Sequence, residues 1–298
     1  MAQNIAEIEK LAGNGNVQAM YQLGLLSLKQ GDVRTAFDWL HKAGELKHVR
    51  AIELLGVLIL QGHGVKADPG LAFEYFRSAA MAGDAQALMR CAELMFSGKG
   101  VNQDRNGAIS CLVESAKQGY PIALRTLGFL LLRQQGLDAS VAHSAFRLAA
   151  YGGDPHSQFV MAKQASTVAE TNAWMAQAAE RGLYLAVQFK AEEQTTIDLA
   201  QIKGDLSAEL QALVPYLDAL HQLDDVRVPA VLVSDTANIK VLEHAFSDIE
   251  TDYLINASAS LLSPAKVVSA DNTIELEQVR TGMTASLGQV LDVVVDWL

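Results

Sequence analysis

A fivefold internal repeat constrains this chain more than any other feature of its sequence. Five segments share a small residue, three intervening residues and a large residue followed by a small one. They are Ala19 with Leu23 and Gly24, Ala51 with Leu55 and Gly56, Ala87 with Cys91 and Ala92, Ala123 with Leu127 and Gly128, and Ser157 with Met161 and Ala162. Their starts lie 32, 36, 36 and 34 residues apart. Periods of this size belong to stacked supersecondary units. Each segment is followed by a second: Ala36 to Ala43 with Trp39, Ala72 to Ala80 with Tyr75, Ala108 to Ala116 with Cys111, Ala142 to Ala150 with Phe146, and Ala173 to Ala179 with Trp174. Gly83, Gly119, Gly153 and Gly182 close most of these. The spacing predicts helix, turn, helix, turn. Small residues let two helices approach closely, and a glycine just past the second helix supplies a left-handed cap at no steric cost. One hairpin cannot bury its apolar faces alone, so the hairpins must stack.

Composition agrees. Half of the 298 residues are hydrophobic but only 6% are aromatic, which suits thin, closely packed helices. The formal charge is −11 and no Lys/Arg run is present, which argues against a nucleic-acid partner. Cys91 and Cys111 lack metal-ligand spacing and read as two buried thiols. The N-terminus shows neither a basic region nor an apolar core of a signal peptide, and the longest apolar run, residues 54–60, is far short of a membrane span. The expectation is a cytoplasmic chain with no membrane partner.

Residues 50–120 carry a more specific pattern. Gly62, Gly64, Val65 and Asp68 recur as Gly98, Gly100, Val101 and Asp104. The glycines permit a tight turn and the Asp suits the start of the second helix. These loops lack the context of a phosphate cradle, since neither is a G-x-G-x-x-G after a strand nor ends in Gly-Lys-Ser/Thr. The pattern resembles the Sel1-like repeat, a relative of the tetratricopeptide repeat. Repeats one, four and five lack the loop. The resemblance implies a mainly α fold: a right-handed α/α superhelical solenoid of about five repeats over residues 1–190, with residues 4–15 as an N-terminal half-repeat cap.

Beyond residue 190 the repeat stops. Residues 191–225 read as a helical connector packed on the end of the stack, with Pro215 expected to break or kink a helix over 206–221. Residues 226–298 read as a small incomplete α+β segment. It comprises β-branched runs near 226–233 and 238–246, a capping box at Ser247 and Glu250 opening a helix to about 261, a hairpin about Asp271 and Asn272, and a last helix near Gly288. The string from Asn238 through Ser258, then residues 261–268 and Val279, Arg280 and Thr281, resembles the opening of a prolyl 4-hydroxylase-like Fe(II)/2-oxoglutarate oxygenase domain. That resemblance implies Fe(II), 2-oxoglutarate and ascorbate as cofactors only if a complete oxygenase domain follows. The iron site needs His-x-Asp. Two residues beyond the seven histidines stand Ala43, Arg50, Val65, Ala145, Gln158, Leu223 and Phe246, none of them a carboxylate. The chain as it stands is therefore expected to hold no metal and no catalytic residue, and its apolar ending reads as a cut inside a domain. Arg280 reads as a strand-end residue paired with an acid, His63 as a turn-surface residue, and Trp39 and Trp174 as core fillers.

These features point to a protein-interaction scaffold that takes a partner protein or peptide on the concave face of the solenoid. The alternative is the substrate-recognition front end of a longer Fe(II)/2-oxoglutarate-dependent protein hydroxylase. Counting the small residue of each first helix as position 1, positions 3 and 7 vary most in chemistry and lie one turn apart. From that stripe Tyr21, Met89, Arg125, Phe129 and Phe159 are the expected partner-binding residues. Leu25 and Val57 are expected to pack against neighbouring hairpins.

Overall fold

The computed structural model describes residues 2–132, 134, 136–189 and 195–222, together with six short strands between 230 and 284. The chain is mainly helical, with thirteen α-helices among the described residues. α1 spans Ala2–Gly13. Five hairpins follow: α2 (Val17–Lys29) with α3 (Val33–Glu45), α4 (Val49–Gln61) with α5 (Pro69–Met81), α6 (Ala85–Ser97) with α7 (Arg105–Lys117), α8 (Pro121–Leu132) with α9 (Ala139–Tyr151), and α10 (Pro155–Gln164) with α11 (Val168–Glu180). α12 (Tyr184–Gln188), a 3-10 turn at Leu199–Ile202 and α13 (Leu206–Asp218) complete the helical part. The chain divides into two compact units, residues 1–123 and the residues from 124 onward.

Local chemistry sets each boundary. Asn16, Asp32, His48, Asp68, Asp84, Asp104, Asp138, Asp154 and Thr167 each accept a bond from a backbone N–H in the first turn of the helix they open. Such a cap contributes about 1 kcal/mol. At the other end the backbone turns left-handed at Gly83, Gly119, Gly153 and Gly182, as the spacing predicts. In the first repeat that place belongs to Lys47, at φ 62°, the only non-glycine among the described residues with positive φ.

Packing follows the small residues. A Cβ on Gly24 would stand 2.6 Å from Leu40, one on Gly56 2.7 Å from Phe76, and one on Gly128 3.0 Å from Phe146. Each of these three glycines thus receives the large residue of its own second helix. In the second helices Ala43, Ala79, Ser115, Ala149 and Ala178 occupy one repeated place and are fully buried. Leu11, at that place in α1, is 43% exposed. Trp174 is buried as expected, whereas Trp39 is only half-buried, its ring covered by the Lys42 ammonium at 4.5 Å. Cys91 is buried and its thiol is pushed up to about 12, chiefly by desolvation. Cys111 is half-buried, less covered than expected. Both cysteines are free. His63 is exposed in its turn, as expected.

Past the hairpins, Leu199 joins the cluster around Trp174 and Ala150, and Arg147 of α9 bonds Glu209 of α13 and the carbonyl of Lys203 at 2.6 Å. α13 runs through Pro215 instead of breaking there. Pro215 lies in its last turn, so only one carbonyl loses its partner before the chain tightens into a 3-10 turn at Ala219–Gln222. The strands pair antiparallel: β1 (Ala230–Ser234) with β2 (Ile239–Leu242), β3 (Ser263–Pro264) with β6 (Met283–Thr284), and β4 (Val267–Val268) with β5 (Ile274–Glu275). The expected helix from Ser247, the turn at Asp271 and Asn272, Arg280 and the helix near Gly288 lie outside the described residues.

Candidate interaction surface

The first helices carry a polar ladder, and each rung is built from two consecutive hairpins. In the first rung Gln18 of α2 meets His48, the cap of α4. The His48 Nδ1 accepts the Ala51 N–H at 3.2 Å, so the proton sits on Nε2 and is donated to the Gln18 Oε1 at 3.1 Å. Tyr21 stacks on the same imidazole with centroids 4.5 Å apart, and burial lowers the His48 pKa. In the second rung Arg50 of α4 donates to Asp84, the cap of α6, at 3.2 Å and to Gln86 at 3.1 Å. The Arg50 side chain stays 52% exposed while Asp84 keeps only 7%. Glu53 lies beneath, buried, with its Oε1 unpartnered. Desolvation raises its pKa, opposed by the charges of Arg90 and Arg50. Arg90 in turn donates to Glu93 at 3.0 Å.

The second unit repeats the scheme in a sealed form. Arg125 of α8 donates to Asp154, the cap of α10, at 2.6 Å, and both side chains are buried. His156 stands 3.3 Å from the same guanidinium. Desolvation first, and the Arg125 charge second, push the His156 pKa down to about 4. Gln158 donates to the Ala150 carbonyl and to Gln177, both at 3.2 Å.

This arrangement decides where the five expected partner-binding residues stand. Met89, Arg125, Phe129 and Phe159 are buried, and only Tyr21 is half-exposed. Phe129 packs edge-on against Phe146 at 5.1 Å, and Phe159 belongs to the cluster around Trp174. Phe129, at position 7, is covered within its own hairpin, and the other four stand at position 3. Position 3 of a first helix leans toward the residue that caps the next first helix, so its chemistry follows that neighbour: Tyr21 with His48, Arg125 with Asp154. Variation there reflects contact between hairpins, not an open face. Leu25, expected to be packed, is 41% exposed, while Val57 is half-buried. What the sequence reading missed are the cap residues themselves. Their signal was present as a polar residue immediately before the first helix, namely Asn16, His48, Asp84 and Asp154.

Among the described residues no three of His, Cys, Asp and Glu are grouped to hold a metal, and no helix is long and apolar enough to cross a membrane.

Comparison with known proteins places part of this architecture. The family model described as Sel1 repeat matches residues 11–48, 49–84 and 85–120. The hairpins α8–α9 and α10–α11 lie beyond the matched Sel1 segments, yet Gly128 receives Phe146 as Gly56 receives Phe76. No curated protein matches the chain. Among solved structures it is similar to c5321, a protective antigen of uropathogenic Escherichia coli with an SLR fold, at 21% identity over 72% of this chain and 49% of that one (TM-score 0.47). The chain spans about half the length of that protein. A Sel1 repeat protein from Oxalobacter formigenes is 21% identical over 62% of this chain and 82% of its own, at a TM-score of 0.48. Helicobacter pylori cysteine rich protein B is 24% identical over 40% and 93%, at 0.34.

Proposed function

We propose that this chain is a protein-interaction scaffold that takes a partner protein on the face formed by the first helices α2, α4 and α6. One observation carries the reading. Arg50 is held in place by Asp84 and Gln86 and still presents half of its side chain to solvent. A guanidinium fixed in this way loses little side-chain freedom when it meets an acceptor on a partner. The same three helices carry exposed Gln22 and Leu25 and half-exposed Tyr21, Leu54, Val57 and Arg90, a mix of aromatic, aliphatic and Arg side chains suited to an interface. The test is affinity capture with the native chain and with a Leu25→Asp, Arg50→Ala variant of unchanged thermal midpoint. A partner recovered by the first and lost by the second supports the reading. An identical recovered set from both overturns it.

The second reading, the recognition end of a longer Fe(II)/2-oxoglutarate-dependent hydroxylase, draws its support from the resemblance of residues 238–281 and from β4 and β5, which pair on either side of Asp271 and Asn272. With no His-x-Asp in its sequence, this chain alone should release no succinate from 2-oxoglutarate when supplied with Fe(II) and ascorbate. Turnover above a no-protein control would require an iron site other than that motif.

A further inference from the structure

The second helices α3 and α5 of the first unit flank a groove whose floor is α4. It consists of two chambers between α3 and α5, of about 340 and 400 Å³, that share His41 and Tyr75. Gly44, Ile52 and Leu55 floor the first chamber, and Phe37, Ile59 and Val65 line the second. Gly44 adds no side chain to the floor of the first chamber. Gly44 stands where Ala80, Ala116, Ala150 and Ala179 stand in the other second helices, one place past the fully buried small residue. A Cβ on Gly44 would already touch Leu55 at 3.4 Å and Ile52 at 3.5 Å, so any side chain there takes space from the chamber. Gly44 is not among the positive-φ residues, so its backbone does not call for glycine.

The charges on the first chamber have one sign. Its ionised rim groups are Glu45 and Glu74, with the Ser78 hydroxyl beside them and no Lys or Arg in its lining. Glu74 already accepts from Arg77 along its own helix. Glu45 is the open acceptor: it is 65% exposed, and its nearest cation-capable neighbour is the His41 ring at 3.8 Å. Tyr75 and His41 add two aromatic rings between the chambers, and His41 is stacked on Phe37 with centroids 6.2 Å apart.

We propose that this groove binds an extended peptide segment carrying an arginine, with an apolar side chain two residues away. An aliphatic stem ending in a flat cation suits the first chamber. The stem lies on Ile52 and Leu55, the guanidinium reaches Glu45 and Glu74, and its flat face covers an aromatic ring. Alternate side chains of an extended segment point the same way every second residue, so an arginine and an apolar side chain two places apart can enter two adjoining chambers together. The acidic rim selects against a segment with a carboxylate at the same place.

The experiment uses the full chain and three fluorescein-labelled peptides that differ at one site: Arg-x-Leu, Ala-x-Leu and Glu-x-Leu in an otherwise uncharged extended sequence. Anisotropy at low salt measures affinity, and amide chemical shifts locate the contact. The Arg peptide should bind tightest, shift Gly44, Glu45, Tyr75 and Ser78, and lose roughly tenfold in affinity in the Glu45→Gln, Glu74→Gln variant. Gly44→Leu should abolish binding by filling the chamber while helix content and thermal midpoint hold or rise. Leu25→Asp, Arg50→Ala should leave it unchanged, so the groove and the first-helix face succeed or fail independently. Equal affinity for the Glu peptide, no binding by any peptide, full affinity in Glu45→Gln, Glu74→Gln, or self-association of the chain that Gly44→Leu abolishes would each overturn the proposal.

Discussion

Asp84 and Asp154 do the same two things in different surroundings. Each caps a first helix, and each accepts from an arginine of the preceding hairpin. In the first unit the arginine stays half in water, while in the second both partners are sealed, at 8% and 2% exposure. An exposed pair contributes up to about 1 kcal/mol, whereas breaking a buried one costs about 3–5 kcal/mol because it strands a charge. One backbone plan therefore supports a surface contact in one place and a core contact in the other. The two caps share one place in the repeat but the two arginines do not: Arg50 stands one residue before Ala51 and Arg125 two after Ala123, and with that shift the contact passes from open to sealed.

Urea unfolding of Asp154→Ala and Asp84→Ala is the sharpest way to break that comparison. Asp154→Ala should lose about 3–5 kcal/mol by leaving Arg125 buried without its acceptor. Asp84→Ala should lose about 1–2 kcal/mol, the cap plus an exposed pair. Equal losses would show that the two sites do not differ as their exposures say.

A smaller effect belongs to pH. The folded chain holds His156 at about 4, below its ordinary value of 6.5. Between those values the unfolded chain takes up a proton that the folded chain refuses. This contribution is thus present above about pH 6.5 and is lost as pH falls toward 4. The thermal midpoint should drop over that window, and His156→Gln should flatten the drop. A profile unchanged in the variant would remove His156 as the cause.

Glu53 has the opposite sign. Its folded pKa is raised, so its contribution is greatest below its unfolded value and is lost as pH rises through the folded one. Glu53→Gln, which keeps the shape and drops the charge, should stabilise the chain by about 1 kcal/mol at neutral pH. It should do nothing at pH 3, where both forms are neutral. Destabilisation at neutral pH would mean that Arg50 and Arg90 outweigh desolvation.

Lys47→Gly should have the smallest effect, a gain of about 0.5 kcal/mol by denaturation. The left-handed backbone costs a side-chained residue about 1 kcal/mol, and glycine returns part of that by loosening the unfolded chain. A loss would show that the Lys47 side chain makes a contact worth more than the strain.

The repeat was legible at the level of backbone. Spacing of small residues located all five hairpins, and Gly83, Gly119, Gly153 and Gly182 marked four of the left-handed caps, because helix approach and positive φ are local demands that few residue types satisfy. The glycine-rich loops at Gly62 and Gly98 were equally plain, and each of those glycines is left-handed where its helix ends. The binding stripe was not legible. Tyr21, Met89, Arg125, Phe129 and Phe159 vary in type as surface residues do, yet four of them are buried. Pro215 misled for a similar reason, since a proline three residues before a helix end costs far less than one at its centre.

What the sequence alone determined is the hairpin and its period, since both follow from steric rules acting within about forty residues. What only the tertiary structure decided is which side of each first helix meets the next hairpin. That choice sealed Arg125 with Asp154, left Arg50 half in water above a buried Glu53, and left a chamber beside Gly44 between α3 and α5. These outcomes depend on the distance between hairpins and on how much water each contact excludes, and no residue type or spacing encodes either quantity by itself.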